Sequence, residues 1–327
     1  MVIFNLMFLC DESMRFELSI GGQQAKTSVM KSQEKLHSCS ILFGVLSFVL
    51  MMDTSGKAQS VEKSIRSSLT FHASFDKGIE ADFAKGNPSL HTITTKNPKE
   101  VIRRGLHAQG QTEWTKEEGM DGGAALKFNE RNAPWIFYRG EKNVDYRNDR
   151  WEGSVSLWLK LDPETDLAPG FADPLQLTTR AWNDGAFFVD FNKDGDPRDF
   201  RLGAFADLKV WNPENKEVPE DQRPLFPVQA PPFGRDQWTH VLFTWENFNT
   251  GEKNGVAKLY MNGKFKGAIE NWSQTFTWKD DESVRLYLGL NYRGLLDEVS
   301  CFQRALSVEE VAWIHGNHTK LRELATR

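Results

Sequence analysis

The chain of 327 residues is short of cysteine, of single-sign charge blocks and of long apolar runs, and each shortage closes off a class of protein. Of three cysteines, Cys10 and Cys39 precede residue 58, so the rest of the chain has Cys301 alone and no internal disulfide framework. A lone cysteine in an apolar strand reads as a small buried hydrophobe rather than a nucleophile. The formal net charge is −5 and no Lys/Arg block or basic stripe occurs, which excludes the electrostatic footprint of a nucleic-acid binder. The apolar run at residues 41–52 is too short to span a bilayer comfortably, and no internal repeat or low-complexity segment is found.

What the chain does have is aromatic residues and period-two alternation. With 39% hydrophobic residues, 11 Trp and 23 Phe, there is ample material for one large core. At residues 153–161 Val155, Leu157 and Leu159 alternate with Ser154, Ser156, Trp158 and Lys160, the pattern of a strand with one aliphatic face. At residues 69–75 Leu69, Phe71, Ala73 and Phe75 share one face, with Thr70, His72 and Ser74 on the other. Further strands are predicted near 124–128, 135–138, 175–179, 186–191, 200–205, 238–246, 256–261 and 284–288. Asn262-Gly263, between two β-prone runs, marks a tight hairpin because both central residues of its turn need positive φ. Ser307 stands three residues before Glu310, the spacing of a helix capping box. Many short strands without helical periods between them predict an all-β fold, a sandwich of antiparallel sheets with a short C-terminal helix. Residues 209–235 carry six prolines and predict a long structureless connection of the kind that is often functional.

The amino terminus reads differently. Residues 41–52 follow Lys31 and Lys35 and precede Ser55, Gly56 and Ala58, the proportions of a signal peptide cleaved after Ala58 or, alternatively, of a retained anchor. Met30-Lys31 would start such a leader well, so residues 1–58 are expected to be a mis-started extension plus signal peptide, with no membrane span in the mature chain.

Four ordered stretches carry a family resemblance: GSVSLWLKL (153–161), WTHVLFTW (238–245), AKLYMNGK (257–264) and GLLDEVSCFQRALSVEEV (294–311). Together they resemble the laminin-G-like, or concanavalin A-like lectin and glucanase, jelly rolls. The resemblance implies an antiparallel jelly-roll β-sandwich over residues 69–316, which leaves residues 59–68 as a disordered lead-in and 317–327 as a C-terminal tail. The leader at residues 41–58 implies a secreted, periplasmic or cell-envelope location.

That superfamily includes retaining glucanases with a Glu-x-Asp-x-x-Glu strand, since glycoside hydrolysis needs two facing carboxylates. Here Glu80-Ala81-Asp82 begins the motif, but Lys85 stands in the place of the second glutamate and no other stretch completes it. The expectation is a non-catalytic module. The resemblance also implies a structural calcium ion (Ca2+) held by Asp76 and Asp297, with Asp82 assisting; the other reading makes Asp297 and Glu298 polar residues of a turn and an edge strand. Asp190 to Asp196 imitates the first seven positions of an EF-hand loop, yet position twelve is Arg201, which suits a solvated hairpin turn. For sugar recognition the candidates are loop or strand-end aromatics, because a pyranose face stacks on an aromatic ring. These are Trp182, Trp211, Trp272 and Trp278, with Asn212 beside Trp211; each could instead cap a sheet edge. The expected partner is a polysaccharide or glycoconjugate, the alternatives being an adhesion domain for a protein partner or a degenerate hydrolase.

Overall fold

The computed structural model of the chain describes residues 18–20, 23–25, 59–94, 101–130, 134–279 and 284–326. Residues 1–60 and 61–327 are separate units. In the first, β1 (Leu18–Ile20) pairs antiparallel with β2 (Gln23–Ala25), and the expected signal segment at 41–52 lies outside the described residues.

The second unit begins within a helix, α1 (residues 59–68), and continues through β3 (Leu69–Ala73), β4 (Phe83–Ala84), β5 (Leu90–Ile93), β6 (Ile102–Arg104), β7 (Thr112–Thr115), β8 (Ala125–Phe128), β9 (Trp135–Arg139) and β10 (Trp151–Lys160). After α2 (Pro163–Asp166) come β11 (Ala172–Thr178), β12 (Ala186–Phe191), β13 (Phe200–Phe205), α3 (Leu208–Trp211), β14 (Leu225–Val228), β15 (Thr239–Phe248), β16 (Gly255–Met261), β17 (Lys264–Trp272), β18 (Arg285–Leu290) and β19 (Gly294–Phe302). Helices α4 (Val308–Gly316) and α5 (His318–Thr326) close the chain.

The strands form two antiparallel sheets, a jelly-roll sandwich. One runs β17-β16-β15-β10-β19-β3-β4, with β8 also on β19 and β7 on β8; the other runs β14-β13-β12-β11-β18-β9-β5-β6. Between them lies the main core, into which β10 sends Val155, Leu157 and Leu159 and β12 sends Phe187, Val189 and Phe191. The opposite face of β10 is covered too. Ser156 hydrogen-bonds His240 at 2.8 Å, while the Ser154 hydroxyl donates to the Arg304 carbonyl at 2.8 Å and accepts from the Leu306 N–H at 3.0 Å. Above these polar groups Leu69, Leu242, Tyr260, Phe302, Val311, Ile314, Leu321 and Leu324 make a second apolar cluster beneath the helices.

Several expectations are revised. Residues 59–68 are helical rather than disordered, because Val61 and Ile65 reach that second cluster. The tail at 317–327 holds α5, docked through Leu321, Leu324 and Ala325. Leu69 parts from Phe71 and turns toward the helices, since the β3–β19 register shifts between Cys301 and Phe302. The proline-rich connection is partly ordered: α3, a short 3-10 turn at Glu220–Gln222, and β14, which extends the sheet beyond β13. Asp297 and Glu298 lie on β19, an interior strand, and both are buried. Other readings match the structure. Asn262 and Gly263 adopt φ of 50° and 72°, the Ser307–Glu310 capping box is complete, and Cys301 is buried, which pushes its thiol up. No described helix is long and apolar enough to cross a membrane.

A candidate ligand-binding face

Every second residue of the eight-stranded sheet points away from the core, and register aligns these residues across strands. His91, Phe137, Tyr287, Gln176, Phe188, Gly203 and Leu225 are successive cross-strand partners. Glycine is required at 203, where a Cβ would stand 2.3 Å from the ring of Phe188. Phe188 lies across that gap and stacks on Phe205 with centroids 5.6 Å apart and 10° between planes.

Beyond each end of β11, on this face, an aromatic ring is left open to solvent. Phe171 is 43% exposed and Trp182 is 52% exposed. The Trp182 ring meets Phe205 edge-on at 5.5 Å, and Trp211 meets the same Phe205 at 5.0 Å. The loop that presents Trp182 is pinned on several sides. Trp211 Nε1–H donates to the Asn183 carbonyl at 2.9 Å, Leu208 N–H to Asp184 Oδ1 at 2.8 Å, and Trp278 Nε1–H to the Gly185 carbonyl at 3.0 Å. Arg180 pairs with Asp184 at 3.5 Å and with Asp207, whose carboxylate also accepts the Thr277 N–H and hydroxyl. A ring held this way loses little conformational freedom when a ligand stacks on it.

Phe171 is fixed by a cation. The Arg201 guanidinium lies 4.8 Å over its ring, and the same guanidinium forks onto both oxygens of Asp190 and reaches Glu220. Arg201, out of place in an EF-hand, thus pairs with the first aspartate of the imitation loop across a β12–β13 hairpin. Burial, then the charge of Asp190, pushes the Asp173 carboxyl well above the usual carboxylate range, and burial raises Asp190 as well. Arg201 and Phe205 are four residues apart on β13, so the backbone positions that support the two exposed rings are roughly 13 Å apart along the strand.

Of the predicted ligand residues, the fold brings Trp182 and Trp211 together around Phe205. Asn212 is buried, and its amide closes the local loop onto Lys216 at 2.7 and 3.1 Å. Trp272 ends β17 in the other sheet and packs against the main core, and Trp278 is buried in that core. Phe171, Phe188, Phe205 and Arg201 were not foreseen. In the run AFFVDF the polar Asp190 shares the face of Phe188, and that one residue is the sign that Phe188 points outward.

Asp76 and Asp297, expected from the resemblance to hold calcium, lie at the far sheet, and Arg322 faces Asp76. Asp297 accepts the Met120 N–H and the Glu298 N–H, each at 2.8 Å. Asp76 Oδ1 accepts the Ala124 N–H at 3.1 Å, and its Oδ2 lies 3.3 Å from Arg322 Nη1. Asp82 accepts the Ser74 N–H at 2.8 Å, and Glu80 pairs with Arg104 at 3.0 Å. As placed, these carboxylates hold nitrogen donors, and the described residues contain no group of three or more acidic, His or Cys side chains with metal-ligand spacing.

No curated protein matches the chain. Among solved structures it is similar to domain 4 of AbnA, an extracellular arabinanase of Geobacillus stearothermophilus determined with arabinotriose, at 20% identity and a TM-score of 0.46, covering 75% of this chain and 97% of that one. It is also similar to the ligand-binding domain of botulinum neurotoxin serotype D in complex with N-acetylneuraminic acid, at 13% identity and a TM-score of 0.41, covering 78% of this chain. The binding domain of Paraclostridial Mosquitocidal Protein 1 is a third, at 16% identity and a TM-score of 0.43, covering 70% of this chain. The chain spans about half the length of each of these last two structures, at 52% coverage. Residues 139–312, more than half of the chain, match the Laminin_G_3 family, and the chain therefore belongs to the concanavalin A-like lectin/glucanases superfamily.

Proposed function

We propose that the protein is a non-catalytic glycan-binding module, exported from the cell, whose ligand lies along the outer face of β11, β12 and β13 between Phe171 and Trp182. One observation carries this reading: a half-exposed tryptophan on a loop locked by three hydrogen bonds from neighbouring elements, level with a second exposed ring on the same face. An apolar sugar face suits such rings, and the surrounding Arg180, Asp184 and Asp173 offer hydroxyl groups both donors and acceptors. Asp190 is clamped by Arg201 on both oxygens, a positioning carboxylate rather than a free acid or base. The apolar segment at 41–52, with Gly56 and Ala58 after it, supports export of the mature portion.

A polysaccharide panel screened by glycan array and affinity electrophoresis tests the reading. Wild type is expected to bind at least one neutral polymer. Trp182→Ala should weaken that binding about 10- to 50-fold, as truncation of a central aromatic anchor does. Phe265→Ala, which removes an equally exposed ring (53%) from β17 in the other sheet, should leave it unchanged. Unaltered affinity in Trp182→Ala, or a folded wild type that binds nothing on the array, sinks the proposal and returns a protein partner to first place.

A further inference from the structure

Four carboxylates from three parts of the chain gather around one guanidinium. Arg322, on α5, places Nε on Glu298 Oε1, and its Nη1 lies 3.3 Å from Asp76 Oδ2 and 3.8 Å from Asp121 Oδ2. Asp297, adjacent to Glu298 and fully buried, completes the group. Glu298 occupies a β19 position with φ of 54°, where the register with β10 shifts, and this bulge turns its side chain toward α5. The turn that carries Asp121 is drawn in from the other side. Its Met120 N–H reaches Asp297, its Ala124 N–H reaches Asp76, and a Cβ at Gly123 would stand only 2.1 Å from Asp76 Oδ1. His318, one turn before Arg322, meets the same Asp121 oxygen, Oδ2, at 2.8 Å.

The family resemblance places a calcium ion between Asp76 and Asp297, but the oxygens do not fit that use here. Calcium takes roughly six to eight oxygen ligands. Both Asp297 oxygens and one Asp76 oxygen are occupied by backbone N–H groups, and the facing oxygens of Asp76, Asp121 and Glu298 point at a guanidinium whose side chain is only 19% exposed.

We propose that Arg322 stands where the family would hold calcium, so that the chain ties its amino-terminal loop, the turn at residues 119–124 and the β19 bulge together with a cation carried on its own last helix. Docking of α5 and divalent-metal binding are then alternatives at one place. The inference is independent of the glycan-binding reading.

Thermal melts of the full chain in EDTA and in millimolar calcium chloride test it. The wild-type midpoint should be the same in both. Arg322→Gln, which removes the charge, should melt about 5–10 °C lower in EDTA, since it leaves buried carboxylates without their counter-ion. Calcium should recover part of that loss in Arg322→Gln while leaving wild type unmoved. Arg322→Lys, which keeps the charge, serves if the glutamine variant does not fold, and should melt between the two and respond less to calcium. A wild-type midpoint raised by calcium, an Arg322→Gln variant as stable as wild type in EDTA, or no response of a destabilised variant to calcium would each overturn the proposal.

Discussion

His240 is a basic side chain kept neutral by its surroundings. Its Nε2 faces the Ser156 hydroxyl at 2.8 Å, and its ring stacks on Trp158 at 4.8 Å and on His315 at 5.6 Å. Burial first, then the neighbouring His315 and His318, lowers its pKa from 6.5 to about 3. The unfolded chain therefore takes up this proton near pH 6.5 while the folded protein refuses it, so the stabilisation is complete above 6.5 and declines as pH falls toward 3. Between pH 7 and pH 5 the loss from this one ring is about 2 kcal/mol. Urea unfolding of wild type and His240→Gln at the two pH values isolates it: the wild type should lose about 2 kcal/mol more than the variant on acidification. Equal losses would mean that the ring is protonated in the fold. Nothing in the sequence around Thr239-His240-Val241 signals this depression, which needs two helices from a distant part of the chain to arrive over β15.

At the scale of elements, α4 illustrates what a sequence can state outright. Ser307 Oγ accepts the Glu310 N–H at 3.3 Å, and Glu310 returns the bond to the Ser307 N–H at 2.9 Å. Glu310 also takes a bidentate grip from Arg304 at 2.7 and 2.6 Å. Ser307→Ala should cost about 1 kcal/mol in equilibrium unfolding. Glu310→Ala should cost more than Ser307→Ala, because it removes both the return bond and the partner of Arg304; equal costs would assign the Arg304 pair no role. Hairpins and strands were similarly legible, since period-two alternation in β10 and the Asn262-Gly263 turn are local properties. Less legible were α5 and α1. The spacing of Leu321, Leu324 and Ala325 is helical, but a nine-residue helix is marginal by itself and forms here on an apolar surface supplied by β3 and α4. Arg322 was invisible for the same reason, its meaning depending on a helix that the local pattern left as a tail.

For the whole molecule, the two-layer architecture followed from alternation and four ordered motifs, while the location of the site did not. Which layer is covered by helices and which faces outward depends on where the chain returns after β19, a choice made by the second apolar cluster rather than by any strand's own pattern. With α1, α4 and α5 packed over the nine-stranded layer, the open aromatic rings Phe171 and Trp182 are left to the other one. Trp211, expected as a sugar platform, packs edge-on against Phe205 and lies in the proposed site as a support rather than as a contact surface.

The interval between Phe171 and Trp182 sets what kind of molecule can use both. A monosaccharide can touch one ring only, whereas an oligomer long enough to bridge the two engages the second without a fresh translational cost. Affinity measured calorimetrically over a ladder of oligomers should climb until the bridging length is reached and then level off, and Phe171→Ala should flatten the climb while leaving the shortest members untouched. On the proposed reading, a protein built this way would engage the interior of a polymer rather than its terminus.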